Sequence, residues 1–182
     1  MPRSAIMFDD PSYVVLNIPS PAADVVKDIR HRFDPERAEY PVEVSVSGSN
    51  GIGSIIPGQD TENIFDMLDT IAAGLKPFRT SFREIKRFPD SNIFYFTMNN
   101  KAEFVKIHSL VASSGIKFTP NKFPYEPHCT ICLNSALSDK QCRELMNMKV
   151  PDVEFIINTI SVYELNSADD GQLLHRCNFG LE

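Results

Sequence analysis

The chain has 182 residues, 42% of them hydrophobic and 23% charged, which suits one sizeable core and excludes disordered and fibrous classes. A formal net charge of -6 excludes a broadly basic surface that holds long nucleic acid by counterion release, while leaving room for a small anion in a local pocket. No apolar run approaches the roughly 20 residues of a membrane span, and acidic Asp9 and Asp10 stand where a leader's apolar core would be, so a cytoplasmic protein with no membrane partner is expected.

Residues 12–18 form the first predicted strand, rich in β-branched and aromatic side chains and stopped by Pro19-Ser20-Pro21. A helix follows over 22–33, with Val25, Val26, Ile29 and Phe33 on its apolar side and Lys27, Asp28 and Arg30 assigned to solvent. After the Asp34-Pro35 break, residues 42–47 alternate strictly. Val42, Val44 and Val46 should therefore face a core, while Glu43, Ser45 and Ser47 share the opposite face. The run Gly48-Ser49-Asn50-Gly51-Ile52-Gly53 reads as a turn at a cleft edge, since it lacks the lysine and following helix of a phosphate-binding loop. Residues 61–75 place Ile64, Phe65, Leu68, Ile71, Ala72 and Leu75 at helical spacing, with Asp60 or Thr61 as N-cap.

Two paired strands are expected at 78–88 and 93–98, then a helix at 101–114 closed by Gly115. Residues 127–133 read as a strand with Cys129, Ile131 and Leu133 toward a core and His128, Thr130 and Cys132 on the other face. A fourth helix covers 138–148 with Ser138 as N-cap, and residues 154–164 and 172–181 read as two long closing strands. Each half thus runs strand, helix, polar-faced strand, helix, paired strands, without a sharp repeat or a linker.

Cys129, Cys132, Cys142 and Cys177 all fall in the C-terminal third and read as reduced thiols rather than a secreted disulfide framework. Cys129-x-x-Cys132 has the spacing of a zinc or redox pair, but strand positions three apart point to opposite faces, so packing is the preferred role. His31 and His108 sit on helices as exposed or packing residues, while His175 on the last strand stays open as a cleft residue.

On the strand at 127–133 the i, i+2 relation sets the His128 imidazole beside the Thr130 hydroxyl, about 7 Å apart along the chain. An imidazole exchanges protons near neutral pH, and a threonine hydroxyl donates to a phosphate oxygen. Phosphodiester cleavage needs one base for the attacking oxygen and one acid for the leaving oxygen. Pro127-His128-Cys129-Thr130-Ile131, entered from Phe123-Pro124-Tyr125-Glu126, together with the order of elements, resembles the 2H phosphoesterase superfamily over nearly the whole chain. The similarity is to its 2′,5′ RNA ligase and cyclic phosphodiesterase branch. It implies a single α+β domain over residues 1–182, built as two pseudo-symmetric lobes, each an antiparallel sheet flanked by helices, with a central cleft between two His-x-Thr/Ser motifs. It also implies metal-independent general acid/base chemistry with no cofactor. The implied partner is a small nucleotide or RNA terminus carrying a 2′,3′-cyclic or 2′,5′ phosphodiester.

The family's first motif falls by register on Glu43-Val44-Ser45, so glutamate stands where the resemblance calls for the first histidine, while Ser45 keeps the hydroxyl. The expected site is therefore His128, Thr130, Glu43 and Ser45. An ionised glutamate about 5 Å from a phosphate, at an effective dielectric of about 20, repels it by roughly 3 kcal/mol. Arg79, Arg83, Lys86, Arg87, Lys117 and Lys122 are candidate compensating cations. Two functions follow. One is a phosphoesterase with His128 as general acid or base, Thr130 and Ser45 holding the phosphate, and Glu43 impairing or redirecting the chemistry. The other is a nucleotide- or RNA-end-binding protein that has lost turnover. A ligand-free interaction scaffold ranks below both.

Overall fold

The computed structural model describes residue 7, residues 9–164 and residues 171–180; position 181, the end of the last predicted strand, lies outside them. The fold is α+β, two four-stranded antiparallel sheets with helices. The first lobe's sheet has the order β2-β1-β7-β8, from Glu43–Ser45, Ser12–Asn17, Thr159–Glu164 and Gln172–Asn178. The second lobe's sheet has the order β5-β4-β3-β6, from His128–Cys132, Phe94–Met98, Phe78–Arg87 and Glu154–Ile157. The helices are α1 (Ala22–Phe33), α2 (Pro35–Ala38), α3 (Thr61–Ala73), α4 (Lys101–Ala112) and α5 (Asp139–Met146).

The lobes repeat a β-α-β unit, β1-α1-β2 in one and β4-α4-β5 in the other, with β2 and β5 as edge strands. They are not the two halves of the chain. The strands β3 and β4, expected to close the first half, belong to the second lobe, and the predicted strand at 154–164 divides at Asn158. Its first part, β6, pairs with β3, and its second part, β7, pairs with β1, so the chain changes lobes across one residue. Apolar residues at Ile156, Ile160 and Val162 make the sequence read as one strand, whereas the buried side chains change phase at the break, from Phe155 and Ile157 to Ile160 and Val162.

Capping and alternation set the rest. Asp60 caps α3 by accepting from the amides of Glu62 and Asn63, and Ser138 caps α5 in a reciprocal capping box with Gln141. In the first sheet Val14, Leu16, Val44, Ile160 and Val162 are fully buried, each contributing about 1.5–3 kcal/mol by leaving water. The opposite face carries Tyr13, Val15, Asn17, Glu43, Ser45, Ser161 and Tyr163.

Four expectations need correction. Arg30, assigned to solvent, is completely buried, because it follows Ala22 and Val26 at four-residue steps on the covered face of α1. Ser47, assigned to the open face, is buried: the strand ends at Ser45, the amides of Val46 and Ser47 both donate to the Val14 carbonyl, and the Ser47 hydroxyl accepts from the Val14 amide at 2.8 Å. Leu133, assigned to the core, is 47% exposed, while Cys132 is buried. A bulge explains the exchange: Phe94 pairs with Cys132 but Tyr95 with Thr130, so Ile131 is an extra residue that reverses the alternation beyond it. Cys129 and Cys132 are accordingly both buried free thiols, and burial pushes each up to about 11.

Candidate functional site

The edge strands β2 and β5 lie beside each other, and their open faces line one cavity of about 250 Å³. Glu43 and Ser45 reach it from one lobe, His128 and Thr130 from the other. Arg37 from α2, Tyr40 beyond it, Tyr13 of β1 and Tyr163 of β7 complete the first lobe's wall; Phe88 and Leu133 stand on the second. Gly48 and Ser49 form an edge of the cavity, as the glycine-rich turn suggests.

Hydrogen bonding fixes His128. Its Nδ1 lies 2.8 Å from the Glu126 carbonyl, an acceptor, so Nδ1 carries the proton and Nε2 keeps the lone pair. The ring is buried and held edge-on by Tyr95 and Phe88, with centroids 5.1 and 5.8 Å away. Asn50, a buried residue of the first lobe's turn, reaches across to brace this segment. Its Nδ2 donates to the Glu126 carbonyl at 3.3 Å and lies 3.2 Å from His128 Nδ1, while its Oδ1 accepts from the Glu126 amide.

The bracing is reciprocal. Tyr125, just before β5, donates through its hydroxyl to the Ser45 carbonyl of β2 at 3.0 Å. Arg30 of α1 donates through one terminal nitrogen to the Thr130 carbonyl of β5 at 2.8 Å, and through the other to the carbonyls of Tyr40 and Pro41 at 3.0 and 3.2 Å. Each site strand is thus held by side chains that belong to the other lobe. Tyr125 also stacks on His108, and Gly51, with φ near 71°, packs so closely on this pair that a Cβ there would collide with both.

The Glu43 carboxyl is half-buried in the wall and accepts from the Ser45 hydroxyl at 3.2 Å. Burial pushes its pKa up; Arg37, Arg30, His128 and the Ser45 bond oppose that shift without cancelling it. The like-charge repulsion expected from an ordinary glutamate therefore gives way to a carboxyl that keeps its proton to higher pH. Linkage supplies a test. A carboxyl raised in the folded state lets the folded protein hold a proton that the unfolded chain releases, so stability is lost as pH climbs above 4.5 toward the folded pKa. Glu43→Gln should remove that loss. In urea titrations its advantage over the wild type should grow with pH from about pH 4.5 upward, and a pH-independent difference would mean that Glu43 titrates as an ordinary surface carboxylate.

None of the six candidate cations lines the cavity; among the described residues Arg37 is the cation that does. Arg79 pairs instead with Glu154, Arg83 and Lys86 with Glu84, and Arg87 with Asn92, all at the surface. His175 is also outside the cavity, stacked on Phe65 and bonded to Asp69 at 2.7 Å. With Cys177 these two form the one group among the described residues close enough to share a metal ion, and none of the three lines the cavity. Sequence patterns missed Arg30, Arg37, Asn50 and Tyr125. Only Arg30 carried a signal, its four-residue step from Val26; Arg37 sits in a four-residue helix too short for periodicity, and Asn50 and Tyr125 sit in irregular segments.

The model of a family described as the 2'-5' RNA ligase superfamily matches residues 18–169. None of the curated proteins matches in sequence. Among solved structures, TT0787 of Thermus thermophilus superimposes with a TM-score of 0.69 at 12% identity, covering 94% of this chain and 99% of that one. LigT of E. coli complexed with 3'-AMP gives 0.63 at 14% identity, covering 93% and 98%, and LigT complexed with NADP+ gives 0.64 at 11%, covering 94% and 98%. At these identities the likeness is one of fold.

Proposed function

The chain belongs to the 2'-5' RNA ligase superfamily of 2H phosphoesterases, and we propose that it acts on a 2′,3′-cyclic or 2′,5′-linked phosphodiester at a nucleotide or RNA end. The observation that carries this proposal is the convergence on one cavity of an imidazole with an open Nε2 and a carboxyl whose pKa burial raises, from opposite lobes. These are the two protonation states that displacement at phosphorus needs on its two sides. LigT, a protein of the same fold, is a holder of 3'-AMP and NADP+, which fits a nucleotide phosphate as the ligand here.

In hydrolysis, His128 Nε2 takes a proton from water as the water oxygen bonds to phosphorus. Glu43 gives its proton to the departing ribose oxygen as that P–O bond breaks, leaving a phosphomonoester and a hydroxyl. Proton exchange with solvent then restores both groups; with a 5′-hydroxyl in place of water, the same two transfers open a 2′,3′-cyclic phosphate, release its 3′ oxygen as a hydroxyl and leave a 2′,5′ linkage. The Thr130 hydroxyl donates to a non-bridging oxygen, the Ser45 hydroxyl turns from Glu43 to another, and Arg37 offsets the phosphate charge.

Binding without turnover is the second candidate, favoured by the presence of one imidazole rather than two along the cavity. The deciding experiment measures turnover of 2′,3′-cyclic nucleotides and 2′,5′-linked dinucleotides beside equilibrium binding of the same compounds. Turnover supports the phosphoesterase, binding alone supports the second candidate, and absence of both overturns each.

Asn50 acts as a positioning residue through the Glu126 backbone, whose carbonyl it shares with His128 Nδ1. Asn50→Ala should lower kcat by up to about 100-fold with little change in KM, since an imidazole misplaced by the loss of the Glu126 brace costs rate rather than affinity. An unchanged kcat alongside a lowered melting temperature would assign Asn50 a purely structural part.

A further inference from the structure

A cavity of about 250 Å³ falls short of the roughly 300–1,000 Å³ that encloses a drug-sized ligand, so a strand longer than its reacting end must continue outside it. The open face of the first sheet leads out of the cavity. Ladder register sets Ser45, Val15, Ser161 and Arg176 in one row across β2, β1, β7 and β8, on the face that carries Glu43. At about 4.8 Å per strand, three steps put the Arg176 backbone roughly 14 Å from Ser45, and its side chain folds back over β7 to within about 10 Å.

The oxygens of Asn17, Ser161 and Tyr163 on this strip are all engaged internally. Ser161 donates its hydroxyl to Asn17 Oδ1 and accepts Arg176 Nε at 3.1 Å. The Tyr163 oxygen accepts Asn17 Nδ2 at 3.3 Å and a terminal nitrogen of Arg176 at 3.1 Å, which fills both its lone pairs. Two donors have no partner among the described residues: the Tyr163 O–H, whose ring lines the cavity, and the other guanidinium nitrogen of Arg176. Arg176 is exposed and has no carboxylate partner among the described residues, although the chain as a whole is acidic. A pre-oriented guanidinium beside a hydroxyl, with no carboxylate partner among the described residues, is complementary to an oxyanion.

We propose that Arg176 and the Tyr163 hydroxyl form a second phosphate subsite, which takes a later phosphodiester of the single strand whose end occupies the cavity. This assignment rests on the nucleotide-end function above and narrows its substrate to an oligonucleotide rather than a mononucleotide. The test is calorimetric binding of 3′-AMP and of a 2′,5′-linked trinucleotide to the full chain, as wild type and as Arg176→Gln. The substitution should weaken the trinucleotide about tenfold and leave 3′-AMP unchanged, the loss of one charge-assisted contact. It should also flatten the slope of log affinity against log salt by about 0.7 for the trinucleotide, one phosphate contact on a single strand. Arg176→Lys, which keeps the charge, should recover part of the affinity. Equal weakening of both ligands, or none for the trinucleotide, overturns the subsite. Wild-type protein that binds neither compound overturns the nucleotide-end function itself, a separate failure seen before any variant is measured.

Discussion

Arg30→Ala should lower the free energy of unfolding by about 3 to 5 kcal/mol in urea titrations, the largest loss expected from any single truncation here. The side chain is wholly buried and its terminal nitrogens serve carbonyls from three places: Arg37 in α2, Tyr40 and Pro41 at the entry to β2, and Thr130 in β5. Truncation leaves buried carbonyls without donors and a cavity beneath α1, costs that add because the interior relaxes only partly. Arg30→Met, which fills volume without donors, should recover only the packing share. Arg30→Lys should do little better, since one ammonium cannot reproduce a planar fork that reaches β5 and the β2 entry together. A loss below about 1 kcal/mol for the alanine variant would mean that water reaches those carbonyls, and that Arg30 does not tie the lobes.

His128→Ala should lower kcat by about 10²- to 10⁴-fold on any substrate that the wild type turns over. Nε2 is the imidazole nitrogen left free once Nδ1 donates to Glu126, so truncation removes the base and spares the hydroxyls that hold the phosphate. Glu43→Gln should fall in the same range, because the amide keeps the shape and the Ser45 contact but has no proton to give. The double variant should be scarcely slower than either single one, as expected for two groups serving one proton path. Wild-type rate should fall on the alkaline side as Glu43 loses the proton that burial retains. If His128→Ala keeps the wild-type rate, the imidazole is not the base and the proposed chemistry is wrong.

Much of this architecture could be read locally. Strict alternation set Val42, Val44 and Val46 apart from Glu43 and Ser45, and Asp60 and Ser138 marked helix starts that the structure shows. Patterns failed where a single residue changed the geometry. Asn158 separates two strands that pair in different lobes, and the extra Ile131 reverses which of Cys132 and Leu133 is buried. Periodicity read through both, because Ile156 continues an apolar run at even positions across Asn158 and Ile131 is apolar like the core positions beside it. The braces Asn50 and Tyr125 were invisible for another reason. Each acts on a residue more than seventy positions away, and nothing in local spacing encodes that meeting.

The lobe change at Asn158 has a consequence for the order in which the molecule is built. The second sheet is assembled from β3 to β6, one continuous stretch of chain, whereas the first joins Asn17 to Tyr163 across 146 residues. On a ribosome that adds about 5–20 residues each second, β1 and β2 emerge early and wait several seconds for β7 and β8. The second sheet can close first and serve as the template on which the older segment is finally captured. Until then β1 has only β2 beside it, and its other edge is open to wrong partners. Nascent chains stalled before residue 159 should therefore be the ones that depend on chaperones.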